Sequence, residues 1–141
     1  MNKSEKLEEL ALALEMNSGT EDMSVYVCKA TGEIVLDAEA ISGEPCPVEA
    51  IEWDDRYVCL PDKRELDLGT RLVWRFVERQ IPGLEPKVRQ IFSRRGAYRR
   101  WKDFLAQNEL LDTWYAFQEE AQREALLQWC SRCGVRIEDA P

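Results

Sequence analysis

The chain contains no histidine. That absence removes every Ser-His, Cys-His and histidine-metal arrangement at once, so any catalysis would rest on Asp, Glu, Lys, Tyr, Arg or Cys. No apolar run approaches the roughly 18 to 20 residues that a membrane span needs. The first residues, Met1-Asn2-Lys3-Ser4-Glu5-Lys6, lead into an acidic amphipathic pattern rather than the apolar centre of a signal peptide. The expected compartment is the cytoplasm, with no membrane partner. Only seven residues are glycine, and none of them builds a glycine-rich nucleotide loop or a nucleophile elbow. Five cysteines, Cys28, Cys46, Cys59, Cys130 and Cys133, make an odd and scattered set. Such a set does not resemble the disulfide framework of a secreted domain, so reduced thiols are expected.

Hydrophobic residues make up 45% of the chain and five are tryptophan, which argues for a packed core rather than disorder. A length of 141 residues suits one domain over 1–141. The net charge of −8 is unevenly spread. Residues 1–60 hold 14 acidic and 4 basic side chains, whereas residues 61–141 hold 13 acidic and 15 basic. Within the second part, residues 87–102 carry seven Lys or Arg and no acid, a local field able to attract an anionic partner.

Leu7, Leu10 and Leu14 recur at spacings of three and four, so a helix is expected over residues 5–16, within an N-terminal segment 1–22 and ended by Asn17-Ser18-Gly19-Thr20. Ser24-Val25-Tyr26-Val27-Cys28 and Glu33-Ile34-Val35-Leu36-Asp37 read as two strands of a hairpin, with Gly32 suited to a left-handed turn position. Residues 38–55 are acidic and broken by Gly43, Pro45 and Pro47, as an exposed loop would be. Arg56-Tyr57-Val58-Cys59-Leu60 is a third strand, closing a small sheet within 24–61.

A helical half is then expected over 66–135. Leu68, Leu72, Phe76 and Val77 share a face until Pro82-Gly83, and Pro86 opens a short helix through Ile91 and Phe92. A helix over 97–107 would bury Ala97, Trp101, Phe104 and Leu105 and turn Arg99, Arg100 and Lys102 toward solvent. The last helix, about 112–133, carries Trp114, Phe117, Ala121 and Ala125 on a face continued by Leu126, Trp129 and Cys133, with Gly134 placed to terminate it. The fold class is α+β: a small N-terminal antiparallel sheet of about three strands and a dominant C-terminal helical half.

The candidate site is the run from Arg94 to Phe104, where Arg94, Arg95, Arg99, Arg100 and Lys102 crowd with three aromatics around Gly96. A glycine at the start of a helix lets backbone N–H groups face an anion, and the arginines could clamp phosphate or carboxylate oxygens. Interleaved Tyr98 and Trp101 could in principle stack nucleic-acid bases. The competing structural reading is that these cations cover the rim of the core, pair with the acidic N-terminal half, and include an Arg99–Asp103 pair at i,i+4.

Other constellations fall short of chemistry. Cys130-Ser131-Arg132-Cys133 ends a helix, where the negative dipole end disfavours thiolate, and zinc would need further ligands that form no second Cys-x-x-Cys. Glu52, Asp54 and Asp55 around Trp53 lack the spacing of a calcium loop. Trp114-Tyr115-Ala116-Phe117 could cage a cation, although its spacing fits a core face better. No catalytic residue, metal or cofactor is therefore assigned.

Four segments also carry a family likeness. Tyr26 with Thr31-Gly32-Glu33, the passage Tyr57-Val58-Cys59-Leu60-Pro61, the run Gly96-Ala97-Tyr98-Arg99-Arg100-Trp101-Lys102-Asp103 and the later Trp114-Tyr115-Ala116-Phe117 together resemble uncharacterised protein family 0158, found in bacteria. The resemblance spans roughly Val25 to Val135. It implies a cytoplasmic bacterial protein and supplies no activity and no functional residues.

The functional reading that follows is a noncatalytic binding or regulatory module, recognising a protein partner through Arg94, Arg95, Gly96, Arg99, Arg100 and Lys102. Binding of nucleic acid or a phosphorylated ligand through the same cations is the alternative. An enzyme working with carboxylates is a third reading, and the oligomeric state is left open.

Overall fold

Val25 and Val27 are fully buried while their neighbours in the strand are only half-buried, the alternation of a strand with one face on a core. The computed structural model describes residues 3–17 and 23–137. In it, β1 (Ser24–Cys28) pairs antiparallel with β2 (Ile34–Asp37), setting Ser24 opposite Asp37 and Val27 opposite Ile34. On its other edge β1 pairs antiparallel with β3 (Tyr57–Cys59), setting Tyr26 opposite Cys59 and Cys28 opposite Tyr57. The sheet order is thus β2-β1-β3. The expected α+β class, with its small sheet and helical C-terminal half, is the architecture found.

The contacts of the chain group into two compact units, one built from Met1–Leu66 and Gln122–Pro141, the other from Asp67–Ala121. In the first, α1 (Lys3–Met16) buries Leu7, Leu10, Ala13 and Leu14. Beyond the helix, the Asn17 side-chain amide donates to the carbonyls of Leu60 and Pro61 at 2.9 and 3.2 Å, tying the helix end to the chain leaving β3. The rest of the expected stop signal, Ser18-Gly19-Thr20, lies outside the described residues. The acidic loop is more ordered than its composition predicts. It holds a four-residue helix, α2 (Glu39–Ser42), and a single 3-10 turn over Ile51–Trp53 that buries Ile51 while leaving Trp53 82% exposed.

The hairpin turn places Gly32 at φ +75°, the left-handed region open to glycine. The approach there is also close: a Cβ on Gly32 would lie 2.8 Å from the backbone carbonyl oxygen of Arg136, whose own N–H donates to the Lys29 carbonyl at 2.8 Å. The hairpin and the segment after the last helix are therefore fitted to a residue without a side chain. Gly32→Ala is expected to cost roughly 1–3 kcal/mol, combining left-handed strain with the displaced carbonyl. Urea unfolding measures it, and a cost below about 0.5 kcal/mol would contradict the close approach.

The second unit contains α3 (Thr70–Gln80), α4 (Glu85–Ile91), α5 (Ala97–Gln107) and the first part of α6 (Leu111–Cys133). Its core is aromatic. Phe76 of α3 meets Trp101, Trp114 and Phe117 edge-on at centroid distances of 6.0, 5.3 and 5.4 Å. Trp101 itself is fully buried and also touches Phe92 and Phe104, both at 5.9 Å. Edge-to-face geometry of this kind aligns positive ring edges with negative faces. Trp101, Phe104, Trp114 and Phe117 thus share the expected core.

Trp129, on the later part of α6, falls in the first unit and is buried there, as are Leu126, Cys130 and Val135. On a helix of 3.6 residues per turn, Leu126 and Cys130 lie more than a quarter turn round from Trp114 and Phe117, so the buried stripe of α6 changes face midway. The helix stops where expected: Gly134 takes φ +72° and the N–H of Val135 donates back to the Cys130 carbonyl at 2.9 Å, closing the helix in a Schellman pattern. Among the described residues, no helix is long and apolar enough to cross a membrane.

Candidate functional site

The arginine-rich run forms the loop between α4 and α5 and the exposed face of α5. Gly96 is the residue before α5 and sits at φ +76°, which turns the chain sharply into the helix. Its lack of a side chain has a second use, because a Cβ there would lie 3.3 Å from Nη1 of Arg100. That guanidinium lies across the loop. Nη1 donates to the Arg95 carbonyl, and Nη2 donates to the carbonyls of Ile91 and Arg94 at 2.7 and 2.8 Å. The last carbonyls of a helix lack intrahelical partners, and an arginine placed there both satisfies them and opposes the negative end of the dipole.

Arg100 is therefore a clasp on the end of α4, half-buried, and not one of the solvent-facing charges that its helical spacing suggests. Its loss should be felt in the fold. Arg100→Ala is expected to cost about 1–3 kcal/mol through the stranded carbonyls, while Arg99→Ala should stay within about 0.5 kcal/mol. Paired thermal melts compare the two, and equal effects would refute the clasp.

The remaining cations behave differently. Arg94, Arg95, Arg99 and Lys102 are exposed, and none makes an ion pair among the described residues. Among the described residues the expected Arg99–Asp103 pair is not formed, and no carboxylate pairs with these four cations. Elsewhere in the chain Arg56, Lys63, Arg71 and Arg89 are each engaged by an acid.

The six predicted residues do not converge on one point. Arg94 and Arg100 line an open cleft of about 420 Å³ together with Lys87, Gln90, Ile91 and Ser93, and among the described residues no carboxylate lines it. Arg95, Arg99 and Lys102 lie outside that lining. Lys87 was missed by a reading centred on residues 94–104, although it is the first cation of the acid-free stretch 87–102. A larger cleft of about 620 Å³, between Trp74, Val77 and Pro82, carries Glu78 and Glu85 on its walls and so does not suit an anion.

The aromatics of the run serve packing. Trp101 has no exposed surface, Phe104 is 8% exposed, and Tyr98, though half-exposed, sets its ring edge-on to Phe92 at 5.6 Å and its hydroxyl 3.3 Å from that of Thr70. Trp101 and Phe104 keep no face open for stacking. The same holds for Trp114, 3% exposed against Phe76, which makes the Trp114–Phe117 segment part of the core rather than an open cage.

The other candidates resolve through their partners. Asp54 accepts a bidentate contact from Arg56, at 3.0 Å to Oδ1 and 2.7 Å to Oδ2, and also the Arg56 backbone N–H at 3.0 Å. Those hydrogen bonds hold its carboxyl down to about 2, so it stays ionised and committed to its neighbour. Cys130 is buried, and burial, reinforced by the nearby Cys133, pushes its thiol up to about 11, the reverse of a redox-active thiolate. Among the described residues, no three cysteine or carboxylate side chains come together as a metal-binding group.

The fold and this surface define an α+β protein with a cationic helical face. The chain matches no protein-family model, no curated protein and no solved structure.

Proposed function

We propose that this chain is a noncatalytic binding module, a cytoplasmic bacterial protein akin to family 0158, that recognises a protein partner carrying clustered negative charge. The binding face is α4, the loop after it and the exposed side of α5. The reading is supported by one observation above all: Arg94, Arg95, Arg99 and Lys102 stand exposed with no ion pair among the described residues, although acids outnumber bases in the chain. Exposed cations left without acids attract anionic surfaces and raise the rate of encounter with them.

Nucleic acid fits this face less well, because Trp101 and Phe104 are buried and an overall charge of −8 opposes a polyanion at long range. Co-purification of the tagged protein from its source cell, with and without nuclease, tests the reading. A protein partner should survive nuclease and be released by moderate salt. Captured nucleic acid whose binding falls steeply with salt would replace the proposed partner with the alternative one.

A further inference from the structure

Three cations frame the cleft beside α4, and they differ in kind. Lys87 projects from α4 and is exposed, Arg94 rises from the loop and is exposed, and Arg100 reaches in from α5 with its guanidinium fixed by three backbone carbonyls. A guanidinium has five N–H donors. Three are occupied here, so the group keeps donors to spare while its position is set before any ligand arrives. Pre-positioned charge of this sort lowers the ordering cost of binding.

The cleft is also small. At about 420 Å³ it falls at the low end of ligand pockets, enough for one compact group and the atoms that carry it. Neighbouring Ser93 spends its hydroxyl hydrogen on the Gln90 carbonyl at 2.7 Å, which leaves the cations and the Gln90 amide as the side-chain donors among the lining residues. A site rich in charged donors, with no carboxylate among its described lining and of limited size, suits a compact anion with several acceptor oxygens.

We infer that the Lys87–Arg94–Arg100 cleft binds a phosphomonoester, the phosphorylated side chain of the protein partner. The inference rests on the reading of α4 and α5 as the binding face and adds the group that the face is built to hold. A phosphomonoester carries close to two negative charges near neutral pH and three strong acceptor oxygens, and arginine clusters are a recurrent means of reading it. A carboxylate offers half the charge and two oxygens. The phosphodiester of a nucleic acid offers one charge, and the buried rings of the run, Trp101 and Phe104, cannot stack on its bases.

The test uses the full chain, amide resonances across residues 87–100, and four probes: O-phosphoserine, a phosphoserine peptide pool, the same pool without phosphate, and a mixed single-stranded oligonucleotide. Saturable shifts with the phosphopeptide pool and none with its unphosphorylated twin are expected. Lys87→Gln and Arg94→Gln, which touch no other side chain by ion pairing among the described residues, should each weaken binding by roughly tenfold, the loss of one charge-assisted contact. If O-phosphoserine alone binds as tightly as the peptide pool, the source is a small phosphorylated metabolite and the assignment to a protein side chain is overturned. If the oligonucleotide binds more tightly than both, or if nothing saturates up to roughly 10 mM, the phosphomonoester assignment fails.

The broader reading fails separately. Partner capture that still depends on Arg95, Arg99 and Lys102 after a null phosphate result would preserve the binding face and remove only the phosphate. Phosphate binding in a protein whose partner capture ignores those three cations would do the opposite.

Discussion

Replacing Trp101 by alanine is expected to cost about 3–5 kcal/mol of stability, the largest single effect in the chain. Trp101 is fully buried and sits against four other rings: Phe76 at 6.0 Å, Trp114 at 5.5 Å, and Phe92 and Phe104 at 5.9 Å. Truncation removes the whole indole and leaves a cavity among side chains that belong to α3, α5 and α6 and cannot all close on it. The indole N–H adds a refinement, since it is buried without a hydrogen-bond partner among the described residues. An unpaired buried donor lowers the net worth of the native tryptophan by about 1–3 kcal/mol. Trp101→Phe, which keeps a ring and discards that donor, should therefore cost well under half as much as Trp101→Ala. Urea denaturation of both variants checks the ordering, and a tryptophan-to-phenylalanine cost equal to the alanine cost would show that packing alone decides the site.

Changing Arg94, Arg95, Arg99 and Lys102 each to glutamate should leave the fold standing and abolish partner capture. Exposed charges without partners change stability little, so the summed cost should stay below about 2 kcal/mol. Binding should fall by roughly 100-fold or more, because like charges brought together across an interface cost several kcal/mol. Arg100 is left in place for a physical reason: it holds the carbonyls of Ile91, Arg94 and Arg95, and reversing it would confuse an unfolded loop with a lost contact. The measurement is quantitative co-purification beside circular dichroism. A folded variant that retains every partner of the parent would end the proposed function.

Much of the architecture was legible in the residues because secondary structure is written in short-range periodicity. Alternation at Val25 and Val27 set the strand face, and the spacing of Trp101, Phe104 and Leu105 set the buried side of α5. Gly32, Gly96 and Gly134 all occupy left-handed positions at the turns where a chain without alternatives would need them. The face of α6 was half legible: spacing alone already sets Leu126 and Cys130 more than a quarter turn from Trp114.

The sequence by itself determined which elements form, which of their faces are apolar, and that the cations cluster between Lys87 and Lys102, since each of these depends on neighbours within a few residues. Only the tertiary structure decided what each cation does. Helical spacing places Arg99 and Arg100 alike outside the core. The left-handed turn at Gly96 instead brings the start of α5 back across the end of α4, where one of the two meets three orphaned carbonyls and the other meets water. That outcome depends on a loop geometry and a side-chain rotamer, which no periodicity encodes, and it is what separates the arginine that builds the surface from the cations the surface presents.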